Sequence, residues 1–229
     1  MHLDDLLADA PRFHLDHEGR PAPWGLEPDV LRLIDASISE GSTTVETGAG
    51  ISTVLFALKG ARHTCVVPDP AEADRIRDYC DARGIAHAGV EFVLDQSARV
   101  LPRLALHDVD LALIDGCHGF PSPMIDWYYL APMLRAGGLV VIDDTNIWTC
   151  DLLRRFLLAD DEWSLERDFP LRAAAFRKTR AFTESREWLS QPFVVERSHV
   201  PPRSLAAFLL RSGRFGELAR HVARRLRRH

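Results

Sequence analysis

The chain alternates short apolar runs with helix-like stretches, and this alternation restricts its fold more than any other feature. TTVET (43–47) is β-branched, and ISTVLFALKG follows it with helical spacing and a terminal Gly60. HTCVV (63–67) precedes AEADRIRDYCDARG, which closes on Gly84. VEFVL (90–94) leads into SARVLPRL, VDLALID (109–115) into MIDWYYLAPMLRAGG, and LVVID (139–143) ends the series. The second, fourth and fifth runs are continuous rather than alternating, as a sheet covered on both faces requires. Strands separated by helices at this spacing predict right-handed βαβ units. The expected class is therefore α/β, a Rossmann-like doubly wound sheet, mostly parallel, with helices on both faces. After residue 150 comes a helix, DLLRRFLLAD, and then EWSLERDF and LRAAAFRKT, expected as an antiparallel C-terminal strand pair.

Three segments are expected. Residues 1–40 read as a proline-containing lead (RPAPWGLEP) and a cap helix (DVLRLIDASISE). Residues 41–180 read as the sheet domain, and 181–229 as a loop-like stretch ending in a basic amphipathic helix. With 229 residues, 46% of them hydrophobic, the chain can bury a sizeable core. The net charge of −5 conceals an asymmetry: from residue 201 onward eight arginines meet one glutamate, so −5 minus +7 leaves −12 for residues 1–200. An acidic body argues against nucleic acid as the partner. In the tail, Phe215, Leu218, Ala219, Val222 and Leu226 make one apolar stripe among arginines. Such a helix either docks on its own domain or a partner subunit, including a second copy of the chain, or lies on an anionic lipid surface. There is no apolar run of membrane-spanning length, and the N-terminus MHLDDLLADAPRFHLD lacks an apolar signal core. Cys65, Cys80, Cys117 and Cys150 are far apart and fit free thiols in a reducing, cytoplasmic setting.

The turn VETGAGIST (45–53) lies between the first strand and its helix. Ligands of open parallel sheets bind beyond the carboxyl ends of the strands, and glycines there let the backbone approach closely. The dinucleotide fingerprint would need a third glycine where this chain has Thr53. Gly48 and Gly50 also fit a plain tight turn capped by Ser52 or Thr53. Glu46 sharpens the question, because a carboxylate at the end of a central strand needs a positive or donor partner.

VETGAGISTVLFAL, with the motif order that follows it over residues 40–160, resembles the first motif of class I S-adenosylmethionine-dependent methyltransferases. The resemblance implies that Glu46 faces the amino group of the cofactor's methionine part and that Gly48, Ala49, Gly50, Ser52 and Thr53 line it. The family places a ribose-binding acid at the end of the second strand. Here Val67 occupies that position, so Asp69 is the candidate, with helix capping before Pro70 as its alternative. After the third strand, Asp95, Gln96 and Ser97 resemble the segment that borders the adenine, or else cap the next helix.

The fourth strand ends in LIDGCHGF and the fifth in VIDDT. As neighbours in a doubly wound sheet, they bring Asp115, Asp143 and Asp144 to the edge that carries the glycine turn. Three carboxylates together would have strongly raised pKa values unless a cation compensates, the alternative being helix capping with separate hydrogen bonds; hard divalent ions take oxygen ligands. The arrangement resembles metal-dependent O-methyltransferases of the catechol and antibiotic-sugar types. That likeness implies magnesium on Asp115, Asp143 and Asp144, and O-methylation of a small-molecule or sugar hydroxyl. His118, three residues after Asp115, is the candidate base, with Asp115 beside it in the catalytic and cofactor sets. Trp127, Tyr128, Tyr129 and Trp148 are either acceptor-pocket wall or core. A metal-independent enzyme using His118 and a nicotinamide-dependent oxidoreductase on the same sheet are the alternatives.

Overall fold

The structure is a computed structural model that describes residues 1–22, 24–183, 186–199, 201, 207, 209–211 and 216. The chain divides into two compact units, Met1–Phe182 and Thr183–His229. The first opens with α1 (Leu3–Ala8) and α2 (Pro28–Ser37) and continues through β1 (Thr43–Thr47), α3 (Ile51–Leu58), β2 (Arg62–Val66) and α4 (Pro70–Arg83). It then runs through β3 (Val90–Val93), α5 (Ser97–Val100), β4 (Val109–Ile114) and α6 (Ser122–Met133). The last elements are β5 (Leu134–Ile142), α7 (Trp148–Ala159), β6 (Trp163–Phe169) and β7 (Ala173–Lys178). The second unit contains α8 (Pro192–Arg197), with Leu189, Leu209 and Val195 forming a small apolar cluster.

One seven-stranded sheet has the order β3-β2-β1-β4-β5-β7-β6. The β1, β2, β3, β4 and β5 pairings are parallel, whereas β7 is antiparallel to both β5 and β6. The continuous apolar runs are explained by how their residues divide between the faces. Leu111 and Leu113 of β4, with Leu139 and Val141 of β5, pack into a core shared with α2, α3 and α4. Ala112, Ile114, Val140 and Ile142 point the other way, into a core shared with α6 and α7. Over Leu111–Ile114 and Leu139–Ile142 every residue is thus buried, and that paired stretch leaves no position for polar alternation.

Local chemistry sets the element ends. Asp69 caps α4 by accepting from the Ala71 N–H at 3.0 Å, Pro70 occupies the first turn, and Gly84 closes the helix at φ 63°. Three expectations shift. LRAGG, expected to finish a helix, starts β5: α6 stops at Met133, just after Pro132, and Leu134 pairs with Val109. The register then slips until Leu139 meets Leu111, and a Cβ on Gly138 would lie 2.9 Å from the Val109 carbonyl oxygen. The lead contains an unexpected helix, α1, whose Leu6 is buried in the core, and the loop-like stretch after 180 contains α8. The tail stripe of Phe215, Leu218, Ala219, Val222 and Leu226 lies outside the described residues. Among the described residues, no helix is long and apolar enough to cross a membrane.

Candidate active site

The carboxyl ends of β1, β4 and β5 are laced together beyond their last paired residues. Gly48 N donates to the Val66 oxygen, Asp115 N to Thr47 and Asp143 N to Ile114, each at 3.0 Å. These bonds bring the glycine turn and both acidic strand ends to one edge. Gly48 adopts φ 89°, and any side chain there would collide with the Asp115 backbone. Asp144 also takes a left-handed conformation, φ 51°, which turns the chain sharply after β5.

The turn swings Asp144 toward His118. His118 Nε2 lies 3.4 Å from Asp144 Oδ2 and 3.9 Å from Asp115 Oδ1. One donor atom from each of Asp115, His118 and Asp144 falls within 4.8 Å of the other two. The His118 loop is tied down by Thr149, whose hydroxyl donates to the His118 carbonyl. Among the described residues, the buried Nε2 of His118 has no hydrogen-bond partner. Burial, and then the charge of Asp143, hold the Asp115 carboxyl well above the usual carboxylate range; Glu46, Asp144 and Glu72 add to it. Asp143 is 8% exposed, and burial followed by the neighbouring Asp144 pushes its carboxyl up to about 7. It does not belong to the three-donor group that includes His118.

This donor set fits a divalent cation. A carboxylate held above its ordinary range, as that of Asp115 is, gains from a nearby positive charge, and the donor atoms of His118 and Asp144 lie within 4.8 Å of it. Two carboxylates suit magnesium or manganese, while an imidazole among the ligands would favour softer ions.

Glu46 sits elsewhere in the turn. It is 1% exposed, accepting from Ser52 Oγ at 2.7 Å, from the Thr53 hydroxyl and from His63 Nε2 at 3.0 Å. His63 Nδ1 in turn meets Thr44 Oγ1 at 2.8 Å, and its ring stacks on Phe56 at 4.1 Å. Thr53 also accepts from the Gly50 N–H at 3.0 Å. Glu46 is therefore the hub of a buried network that braces the glycine turn against α3 and β2. Glu46, His63 and Cys65 also cluster closely enough for a metal. Both nitrogens of His63 are already engaged, however, and burial raises the Cys65 thiol well above its ordinary range.

The remaining candidates separate. Ala49 is buried within the turn. Asp69 spends its carboxylate on α4 and on Arg75, 3.4 Å away. Asp95 accepts from the Gln96 N–H at 2.7 Å and from Arg99 at 3.3 Å, so it too acts locally. Ser97, the first residue of α5, reaches toward Asp126, a buried carboxyl that burial holds above its usual range. Trp127 packs on Phe156, Trp163 and Phe182 and belongs to the core. Trp148 is 64% exposed and faces Phe120, itself 68% exposed, at 6.4 Å between ring centroids. These two rings flank the acid–histidine group in sequence and leave an open aromatic surface beside it.

Sequence reasoning passed over His63, Phe120, Thr149 and Asp126. A signal existed for His63. Thr44 pairs with His63 and Glu46 with Cys65, so polar residues at every second position share one face beneath α3.

Residues 45–145 match a family of proteins described as a methyltransferase domain. Among solved structures, a protein from Corynebacterium glutamicum superposes with a TM-score of 0.61 at 17% identity, covering 80% of this chain and 91% of its own. Cofactor-bound Rv0187 from MTB gives 0.59 at 18% identity, covering 78% of this chain and 89% of its own. The O-methyltransferase TomG from Streptomyces achromogenes, in complex with S-adenosylmethionine and involved in tomaymycin synthesis, gives 0.58 at 15% identity, covering 77% and 90%. At these identities the likeness is one of fold. No curated protein sequence matches the chain.

Proposed function

We propose that this chain, an S-adenosylmethionine-dependent methyltransferase by virtue of its domain at residues 45–145, methylates a hydroxyl of a small-molecule or sugar acceptor with the help of a divalent cation. The observation that carries the reading is the meeting of Asp115, His118 and Asp144 within 4.8 Å, on the strand edge that holds the glycine turn. A hydroxyl is a poor nucleophile until it loses its proton, and this edge offers both a base and ligands for a cation.

S-adenosylmethionine supplies a methyl group on a positively charged sulfur, which the acceptor oxygen displaces in line. A divalent cation on Asp115 and Asp144 would lower the pKa of a coordinated acceptor hydroxyl. His118 takes the hydroxyl proton on Nε2, the atom that has no partner among the described residues. Asp144, 3.4 Å from that nitrogen, steadies the imidazolium that results. Thr149 fixes the loop, so the base stays in register with the glycine turn. Asp143, whose charge already bears on the Asp115 carboxyl, would add to the attraction for that cation. Phe120 and Trp148 offer an apolar face for the body of the acceptor.

A second reading needs no cation: His118 acts as the sole base, favoured by its unpartnered Nε2. Turnover of S-adenosylmethionine against a panel of catechols, other phenols, sugars and amines, with magnesium or with chelator, tests both. Hydroxyl methylation that chelator abolishes supports the cation-assisted reading. Full activity in chelator leaves His118 alone, and turnover only with amine acceptors would overturn the proposal.

A further inference from the structure

α6 carries its inward residues at helical spacing: Pro123, Asp126, Leu130 and Met133 are all buried. Leu130 and Met133 join the core shared with β4 and β5, whereas Asp126 puts a carboxyl into the same stripe at 1% exposure. That carboxyl lies beside two hydroxyls, those of Ser97, the first residue of α5, and Thr47, the last of β1. Burial raises the carboxyl above its usual range while the two hydroxyls draw it down. Neither hydroxyl closes a bond on it. Both carboxyl oxygens and Thr47 Oγ1 are buried with no hydrogen-bond partner among the described residues.

Such a group works against stability. A buried carboxyl without a closed hydrogen bond has lost its hydration and gained nothing in exchange, and an apolar side chain of the same size would sit there at less cost. Its neighbours supply the reason for it. Thr47 leads into the glycine turn, and its carbonyl accepts from the Asp115 N–H at 3.0 Å. Ser97, half-buried, belongs to the segment that follows β3. Asp126 therefore meets the ends of β1 and β3, the two strands that flank β2 in the sheet. We propose that Asp126 is a positioning residue for S-adenosylmethionine: on binding, the Ser97 hydroxyl closes onto its carboxyl, with Thr47 as second donor, and the segment after β3 is drawn against the end of β1. Asp126 is too deeply buried to touch the ligand and acts through Ser97. The inference rests on the reading of this edge as the cofactor site.

The test measures S-adenosylhomocysteine affinity by calorimetry and Tm by thermal unfolding, side by side on the full chain. Asp126→Leu keeps the size of the side chain and removes the unbonded carboxyl. Its Tm should hold or rise while affinity falls roughly 5- to 20-fold, the worth of one lost hydrogen bond to a carboxyl. Ser97→Ala should weaken binding by a similar factor. The double variant should bind little worse than either single one, because both remove the same bond. Asp126→Asn keeps an acceptor oxygen and should recover part of the affinity. Unchanged affinity in Asp126→Leu, or losses that multiply in the double variant, overturns the proposal and leaves the cofactor reading in place. A Tm that falls in both Asp126→Leu and Asp126→Asn marks a purely structural carboxyl and overturns it as well. An unmodified chain that does not bind S-adenosylhomocysteine overturns the cofactor reading itself, and the proposal with it.

Discussion

Gly48 lies so close to Asp115 that a Cβ at position 48 would sit 2.2 Å from the Asp115 carbonyl oxygen. The glycine turn and the acidic end of β4 are thus packed backbone to backbone, so the proposed cofactor and cation sites would share a wall.

Gly48→Ala should therefore damage both. The substitution meets a backbone clash as well as a positive φ of 89°. Cost of about 2 kcal/mol or more is expected, a drop in Tm of roughly 4–8 °C for a chain this size. Thermal unfolding and S-adenosylhomocysteine titration check it, with affinity expected to fall at least about tenfold. An alanine variant with unchanged Tm and affinity would contradict the packing.

The acidic edge makes stability depend on pH in a defined sense. Asp115 and Asp143 have folded-state pKa values above the ordinary carboxylate value, that of Asp143 about 7. The folded chain then holds protons that the unfolded chain has released, so stability is lost as pH rises from about 4 toward 7. Magnesium should offset this loss where the carboxylates are charged, raising Tm at pH 8 and much less at pH 5. Thermal scans at the two pH values, with magnesium and with chelator, test the sign. Equal magnesium effects at both would contradict it.

His63→Ala should destabilise the fold without touching the acceptor. Removing the imidazole leaves Glu46 as a buried carboxylate short of a partner, at a cost of about 3–5 kcal/mol. Denaturant unfolding measures the loss. The double variant His63→Ala with Glu46→Gln should recover part of it, because the uncompensated charge is gone.

Much of this was legible from residues alone, and the misses share a cause. The strand pattern predicts the sheet because apolar runs buried on both faces have few other homes. Asp115, His118 and Asp144 come to one edge because the order of strands β4 and β5 follows from the topology. Glu46 was harder: whether a strand-end carboxylate faces a ligand or turns inward depends on His63, which lies across the sheet. Asp69 illustrates the same ambiguity, for the Ala71 N–H at the start of α4 and the Arg75 guanidinium both draw on its carboxylate. The start of β5 went unseen because LRAGG pairs through a register slip that no periodicity encodes.

Trp148→Ala should raise the KM for the acceptor while leaving cofactor affinity alone. The ring is 64% exposed and faces Phe120 rather than the glycine turn, so its loss removes apolar contact without opening the core. A KM increase of about tenfold is expected, close to the value of one aromatic contact. Steady-state kinetics beside S-adenosylhomocysteine titration separate the two ligands. A cofactor affinity that falls in parallel would place the ring elsewhere in the site.

Hydroxyl methylation that depends on Asp115 can be followed by isotope transfer. The chain is given S-adenosylmethionine carrying a ¹³C methyl group, magnesium and the acceptor panel, and products are identified by mass spectrometry and NMR. The label should appear on oxygen, with the rate in Asp115→Asn reduced by about 100-fold or more. Label on nitrogen or carbon, or on oxygen at an undiminished rate in Asp115→Asn, would contradict the account.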